Sequence, residues 1–98
     1  MTKTFIFDID GTIVRNLTID ELDNWDSNNI QELLPNVKHF FLTAEIHDYI
    51  IIFITARRES HRELTEKMLN HHDIKYKCLI MELNQGERYL VNDTPNVF

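Results

Sequence analysis

Two aspartates, Asp8 and Asp10, stand two residues apart in the stretch FIFDIDGTIV (5–14), inside what otherwise reads as a buried apolar run. Thr55 and Arg57 close a second apolar run, IIFITAR, and Asp93 follows a third, YLV. Two carboxylates from one strand end and a third from another would make a hard, all-oxygen site. Such a site suits Mg²⁺, which is held by few carboxylates together with waters and phosphate oxygens. An aspartate beside such an ion can attack phosphorus and form an aspartyl-phosphate. A second carboxylate two residues on can protonate the leaving oxygen and later activate water. Gly11 permits the bend that follows, Thr12 and Thr55 offer hydroxyls and N–H groups to phosphate oxygens, and Arg57 offers a planar fork beside Ala56. His71 and His72 are adjacent and do not share a helical face, so they are read as solvated or capping residues.

These residues need elements to bring them together. Residues 3–9 and 49–55 read as strands that are apolar on both faces, with weaker strands over 75–81 and 88–92. Helical spacing marks 36–47 through Val37, Phe40, Phe41 and Ala44, ended by Asp48, and marks 58–71 through Leu64, Met68 and Leu69. The polar segment 15–35 reads as a loop with one or two short helices, capped by Thr18 or Asp20 and by Asn28 or Asn29. Residues 84–86 form a turn. Apolar strands alternating with helices predict an α/β fold with a central parallel sheet of about four strands. Ligands of such sheets sit outside the carboxyl ends of the strands, and the acids, Thr55 and Arg57 all fall there. Trp25 reads as half-buried packing under the polar loop, and Cys78 as a small buried hydrophobe.

With 98 residues, one domain over 1–98 is expected. The net charge of −6 argues against a broad nucleic-acid footprint, while three arginines in ARRESHR (56–62) leave room for a nucleotide or a strand end. No apolar run has the length of a membrane span, and MTKTFIFD meets an aspartate too early for a signal peptide, so no membrane partner is expected. A single cysteine excludes an internal disulfide framework and fits the cytoplasm.

FIFDIDGT followed by IIFITAR and YLVNDT resembles the three strand-end motifs of the haloacid dehalogenase (HAD) superfamily of phosphohydrolases. The resemblance implies a three-layer, Rossmann-like core, here a small one without a cap domain. It implies Asp8 as nucleophile, Asp10 as general acid/base and Thr55 as phosphoryl ligand. Mg²⁺ would be held by the Asp8 carboxylate, the Asp10 backbone carbonyl and Asp93, with Asn92 as an outer partner. The family also places a cation near the phosphate. Lys77 is assigned to it among Lys75, Lys77 and Arg88, with Arg57 or Arg58 as substitutes. The expected function is a Mg²⁺-dependent phosphatase acting on a phosphorylated small metabolite, sugar or nucleotide. The alternatives are a weak or inactive HAD-fold accessory domain, a phosphatase of nucleotide or nucleic-acid ends, and a phosphotransferase or mutase. An open site on so small a chain is compatible with a homodimer.

Overall fold

The computed structural model describes residues 2–93. In chain order the elements are β1 (Thr4–Phe7), α1 (Ile19–Asp23), α2 (Val37–Ile46), β2 (Ile50–Ile54), a 3₁₀ turn (Glu59–His61), α3 (Arg62–His71) and β3 (Cys78–Ile80). The sheet is parallel in the order β1-β2-β3, with Phe7 beside Phe53 and Ile54 beside Ile80.

The two long helices end alike. Asp48 and Asp73 both adopt φ of 57°. After α2 the N–H of Asp48 donates to Glu45 and that of Tyr49 to Ala44; after α3, Asp73 donates to Asn70 and Ile74 to Leu69. These are Schellman closures, with aspartate where glycine is usual. Each satisfies the last carbonyls of its helix and turns the chain back toward the next strand.

Phe41 and Ala44 of α2, Met68 and Leu69 of α3, and Ile51, Phe53 and Leu79 of the strands form one buried cluster. Phe7, Phe41 and Phe53 meet there with ring centroids 5.3 to 6.1 Å apart. Both helices thus share one face of the sheet. The topology requires this: each crossover steps the same way, and right-handed crossovers then place successive helices on the same side. The expected three layers are therefore two in the described residues. On the alternate residues of the strands, Ile6 is 49% and Ile80 46% exposed. Cys78 is exposed there too, rather than buried.

Three further expectations are corrected. Among the described residues the sheet has three strands, not about four: residues 88–92 form no regular element, with Tyr89, Leu90 and Val91 all exposed. Residues 30–34 form no helix, because Leu33 bridges Val14 and the Leu34 N–H donates to the Ile13 carbonyl. The strand at 75–81 is cut to three residues. Thr18 does cap α1: its hydroxyl accepts from the Glu21 N–H at 3.1 Å, and the Glu21 carboxylate accepts from the Thr18 N–H at 3.1 Å.

Candidate functional site

The carboxyl ends of all three strands open into one cleft of about 390 Å³. Asp8 follows β1, Thr55 to Arg58 follow β2, and Glu82 to Gly86 follow β3, with Arg88 just beyond; Asn16, Leu17, Ile19 and Leu22 close the side toward α1. The loop after β3 is tied down by Glu82 N–H to the Arg57 carbonyl (2.8 Å) and Leu83 N–H to the Thr55 carbonyl (3.1 Å). Glu82 takes φ of 62° to make that reversal.

Asp8 is exposed, and its carboxylate accepts no hydrogen bond from any described residue. Asp10 is held tightly instead. Arg57 Nε donates to one Asp10 oxygen at 2.9 Å and Nη2 to the other at 2.8 Å. The same guanidinium donates from Nη2 to Gln31 Oε1 at 3.0 Å and from Nη1 to Thr65 Oγ1 at 2.9 Å. The Arg57 side chain is 1% exposed against 18% for Asp10. A buried guanidinium needs such a full set of acceptors, and the bidentate geometry fixes the direction in which Asp10 points.

The fork expected to bind substrate is therefore occupied inside the protein. Gly11 and Thr12 lie on the turn after Asp10 and do not line the cleft. Gly11 takes φ of 79° and donates to Val14, while the Thr12 N–H is used on the Ile9 carbonyl. Thr55 lines the cleft, yet its N–H pairs with Ile80 and its hydroxyl accepts the Arg57 N–H at 3.1 Å. The Ala56 N–H has no acceptor among the described residues, so it is the amide left open at the strand end.

Lys77 is not at the site. Its N–H donates to the Ile51 carbonyl at 2.7 Å, at the amino end of β3. That is four residues before Thr55 in the β2 register, or about 13 Å along the strand. Lys75 sits in the same region, 3.9 Å from Glu45. The cations of the cleft besides Arg57 are Arg58 and Arg88. Asp93 does not line the cleft; it is exposed, and its N–H turns to its neighbour Asn92 Oδ1. No group of three or more His, Cys, Asp or Glu residues converges as a metal site among the described residues.

Gln31 and Thr65 escaped sequence reasoning. Both are buried polar residues that accept from Arg57, and the Thr65 hydroxyl also donates to the His61 carbonyl at 2.8 Å. A threonine on the apolar stripe beside Leu64, Met68 and Leu69 was the available signal. His61 was missed too: it is buried in the 3₁₀ turn and its Nε2 lies 2.7 Å from Asp23 Oδ1, tying α1 to the start of α3. Trp25 is half-buried, with its indole N–H on the Asn29 carbonyl, and stays out of the cleft. No helix among the described residues is long and apolar enough to cross a membrane.

No family model matches this chain, and no curated protein matches it. Among solved structures, a chain of the "Structure of Pnkp1/Rnl/Hen1 complex" is similar to it, with a TM-score of 0.61 and 26% sequence identity. The likeness covers 90% of this chain and 30% of that one, so this chain spans less than a third of the solved chain's length.

Proposed function

We propose that this chain is a phosphomonoesterase of the HAD type acting on the terminal phosphate of a nucleotide or nucleic-acid end. The observation that carries the reading is the pairing of an unbonded Asp8 carboxylate with an Asp10 carboxylate locked by Arg57 at one cleft mouth. Arg58 and Arg88, which line the cleft beside Leu17 and Ile19, favour the nucleotide or strand-end substrate over a sugar phosphate.

An Asp8 oxygen attacks phosphorus in line with the ester oxygen. The P–O ester bond breaks, and the leaving oxygen takes a proton from Asp10. Each Asp10 oxygen keeps a lone pair beyond the one given to Arg57, so the carboxyl can still carry that proton. Water then gives a proton to Asp10 and attacks phosphorus. The P–O bond to Asp8 breaks, which frees phosphate and restores both carboxyl groups. The open Ala56 N–H donates to a phosphate oxygen, while Arg57 acts through Asp10 as a positioning residue. The Asp8 carboxylate and the Asp10 carbonyl are hard oxygens without hydrogen-bond donors among the described residues, and they suit Mg²⁺ with waters filling its other positions. Such an ion, when bound, screens the repulsion between Asp8 and the phosphate.

The test is hydrolysis of an aryl phosphate and of nucleoside monophosphates, with and without Mg²⁺, in the unaltered chain and in Asp8→Asn. Loss of all turnover in the variant is expected, while its circular dichroism stays unchanged. Full activity in Asp8→Asn would overturn the covalent route. A second reading, a HAD-fold accessory domain, is favoured by the distance of Lys77 and Asp93 from the cleft. A folded chain without activity on any phosphomonoester supports it, and Mg²⁺-dependent turnover that vanishes in Asp10→Ala excludes it.

A further inference from the structure

We propose that the cleft selects a nucleotide bearing a second phosphate besides the one removed, and that Arg58 and Arg88 are the residues that read it. This rests on the phosphomonoesterase reading and names the substrate class of the same site.

The arginines of the cleft divide by what already occupies them. Arg57 is buried and committed to Asp10, Thr65 and Gln31. Arg58, the next residue, is exposed, and its guanidinium makes no hydrogen bond or ion pair with any described residue. Arg88 follows the loop after β3 and also lines the cleft. Its Nη1 is anchored on the carbonyls of Asn84 (2.7 Å) and Gly86 (3.2 Å), which leaves Nε and Nη2 without acceptors among the described residues. Two guanidinium groups thus line one cleft with donors to spare. Of its acids, Asp10 is already neutralised by Arg57, which leaves Asp8 and Glu82.

The reacting phosphate is fixed at Asp8 by the chemistry. A second phosphate at Arg58 and Arg88 gives their planar forks bidentate partners. The wall toward α1 is of opposite character. Leu17, Ile19 and Leu22 line it, and Ile19 is 52% exposed at the rim of an otherwise polar cleft. A polyol phosphate would meet a wall that, apart from Asn16, offers its hydroxyls no hydrogen bond, and would leave the arginines unused. A nucleotide with two phosphates uses each part: one phosphate at Asp8, the other at the arginines, and the flat base against the apolar wall. The volume of about 390 Å³ falls in the range of small-ligand sites and suits one nucleotide unit. A free nucleoside bisphosphate and the terminal nucleotide of a phosphorylated strand share this chemistry.

The test compares adenosine 3′,5′-bisphosphate, adenosine 3′-monophosphate, adenosine 5′-monophosphate and a short 3′-phosphorylated oligonucleotide in steady-state kinetics with Mg²⁺. The unaltered chain, Arg58→Ala and Arg88→Ala are assayed in parallel. The expected result is a kcat/KM about tenfold or more higher for a substrate with a second phosphate than for its monophosphate, carried by KM, since a hydrogen-bonded charge contributes on that order. Each alanine variant shrinks the preference toward unity, and raised salt erodes it. Preference for the bisphosphate over the oligonucleotide assigns a free nucleotide; the reverse assigns a strand end. Equal kcat/KM for mono- and bisphosphate, or a preference intact in both variants, overturns the proposal. If nothing is hydrolysed, the phosphomonoesterase reading fails, and calorimetric titration with the same adenosine phosphates decides this one. Tighter binding of the bisphosphate that is lost in Arg58→Ala sustains it, and equal binding refutes it.

Discussion

Arg57 makes four hydrogen bonds from a side chain that is 1% exposed, two of them to Asp10. Removing it leaves Asp10, Gln31 and Thr65 without their donor, and breaking a buried pair from one side is costly. Arg57→Ala is expected to destabilise the fold by about 3 kcal/mol in urea unfolding. Arg57→Lys keeps the charge but cannot span both Asp10 oxygens, Thr65 and Gln31 together. It should recover much of that stability while kcat stays low, because Asp10 is no longer aimed. Equal kcat in Arg57→Lys and the unaltered chain would show that the bidentate geometry does not matter. The sequence revealed an arginine at a strand end. It could not reveal that the fork points inward, because Gln31 and Thr65, 26 and 8 residues away, are brought to it by folding.

At the scale of elements, α1 is the most easily perturbed part of the cleft wall. It is one short turn of helix held by its Thr18–Glu21 capping box, by Leu22 and by the His61–Asp23 contact. The Thr18 N–H, and after it Arg15, hold the Glu21 carboxyl below the usual carboxylate range. A depressed folded-state value stabilises α1 above the ordinary Glu range and ceases to do so as pH falls through the depressed value. Acid titration should therefore loosen α1, followed by fluorescence of the single tryptophan, Trp25, which adjoins it. In Glu21→Gln the amide can still accept from Thr18 without titrating, so that part of the change should be lost; an identical titration would assign the loosening to other groups. The strands answer to packing rather than charge. Phe53 is fully buried among Phe7, Phe41 and Tyr76, and Phe53→Ala is expected to cost about 4 kcal/mol of unfolding free energy in denaturant titration.

Across the whole molecule, apolar residues are distributed unevenly. One face of the sheet carries both long helices, while Ile6 and Ile80 lie half bare, and Tyr89 to Val91 are more than three-quarters exposed. Exposed apolar strand edges and segments favour association between chains. Leu90→Lys combined with Ile6→Thr should lower light scattering at matched concentration while leaving far-ultraviolet circular dichroism unchanged. Unaltered scattering would show that these residues do not drive association.

Elements with local signals were legible along the chain. The two strong strands, the two long helices and the Asp48 end of the first, the Thr18 cap, and the placing of Asp8, Asp10 and Thr55 at strand ends all follow from periodicity, capping and chain order. The short strand over 88–92 was also written in apolar residues, but a strand exists only when a neighbour supplies its hydrogen bonds, and no described strand does. Lys77 was assigned through the family resemblance and Asp93 from the apolar run before it, whereas the register of β3 leaves Lys77 at the amino end of the sheet, and Asp93 lies outside the cleft. The two-layer packing, the inward fork of Arg57 and the open arginines of the rim were decided by tertiary structure alone. They depend on which side each crossover takes and on which buried polar atoms meet, and no local pattern encodes contacts between residues so far apart along the chain.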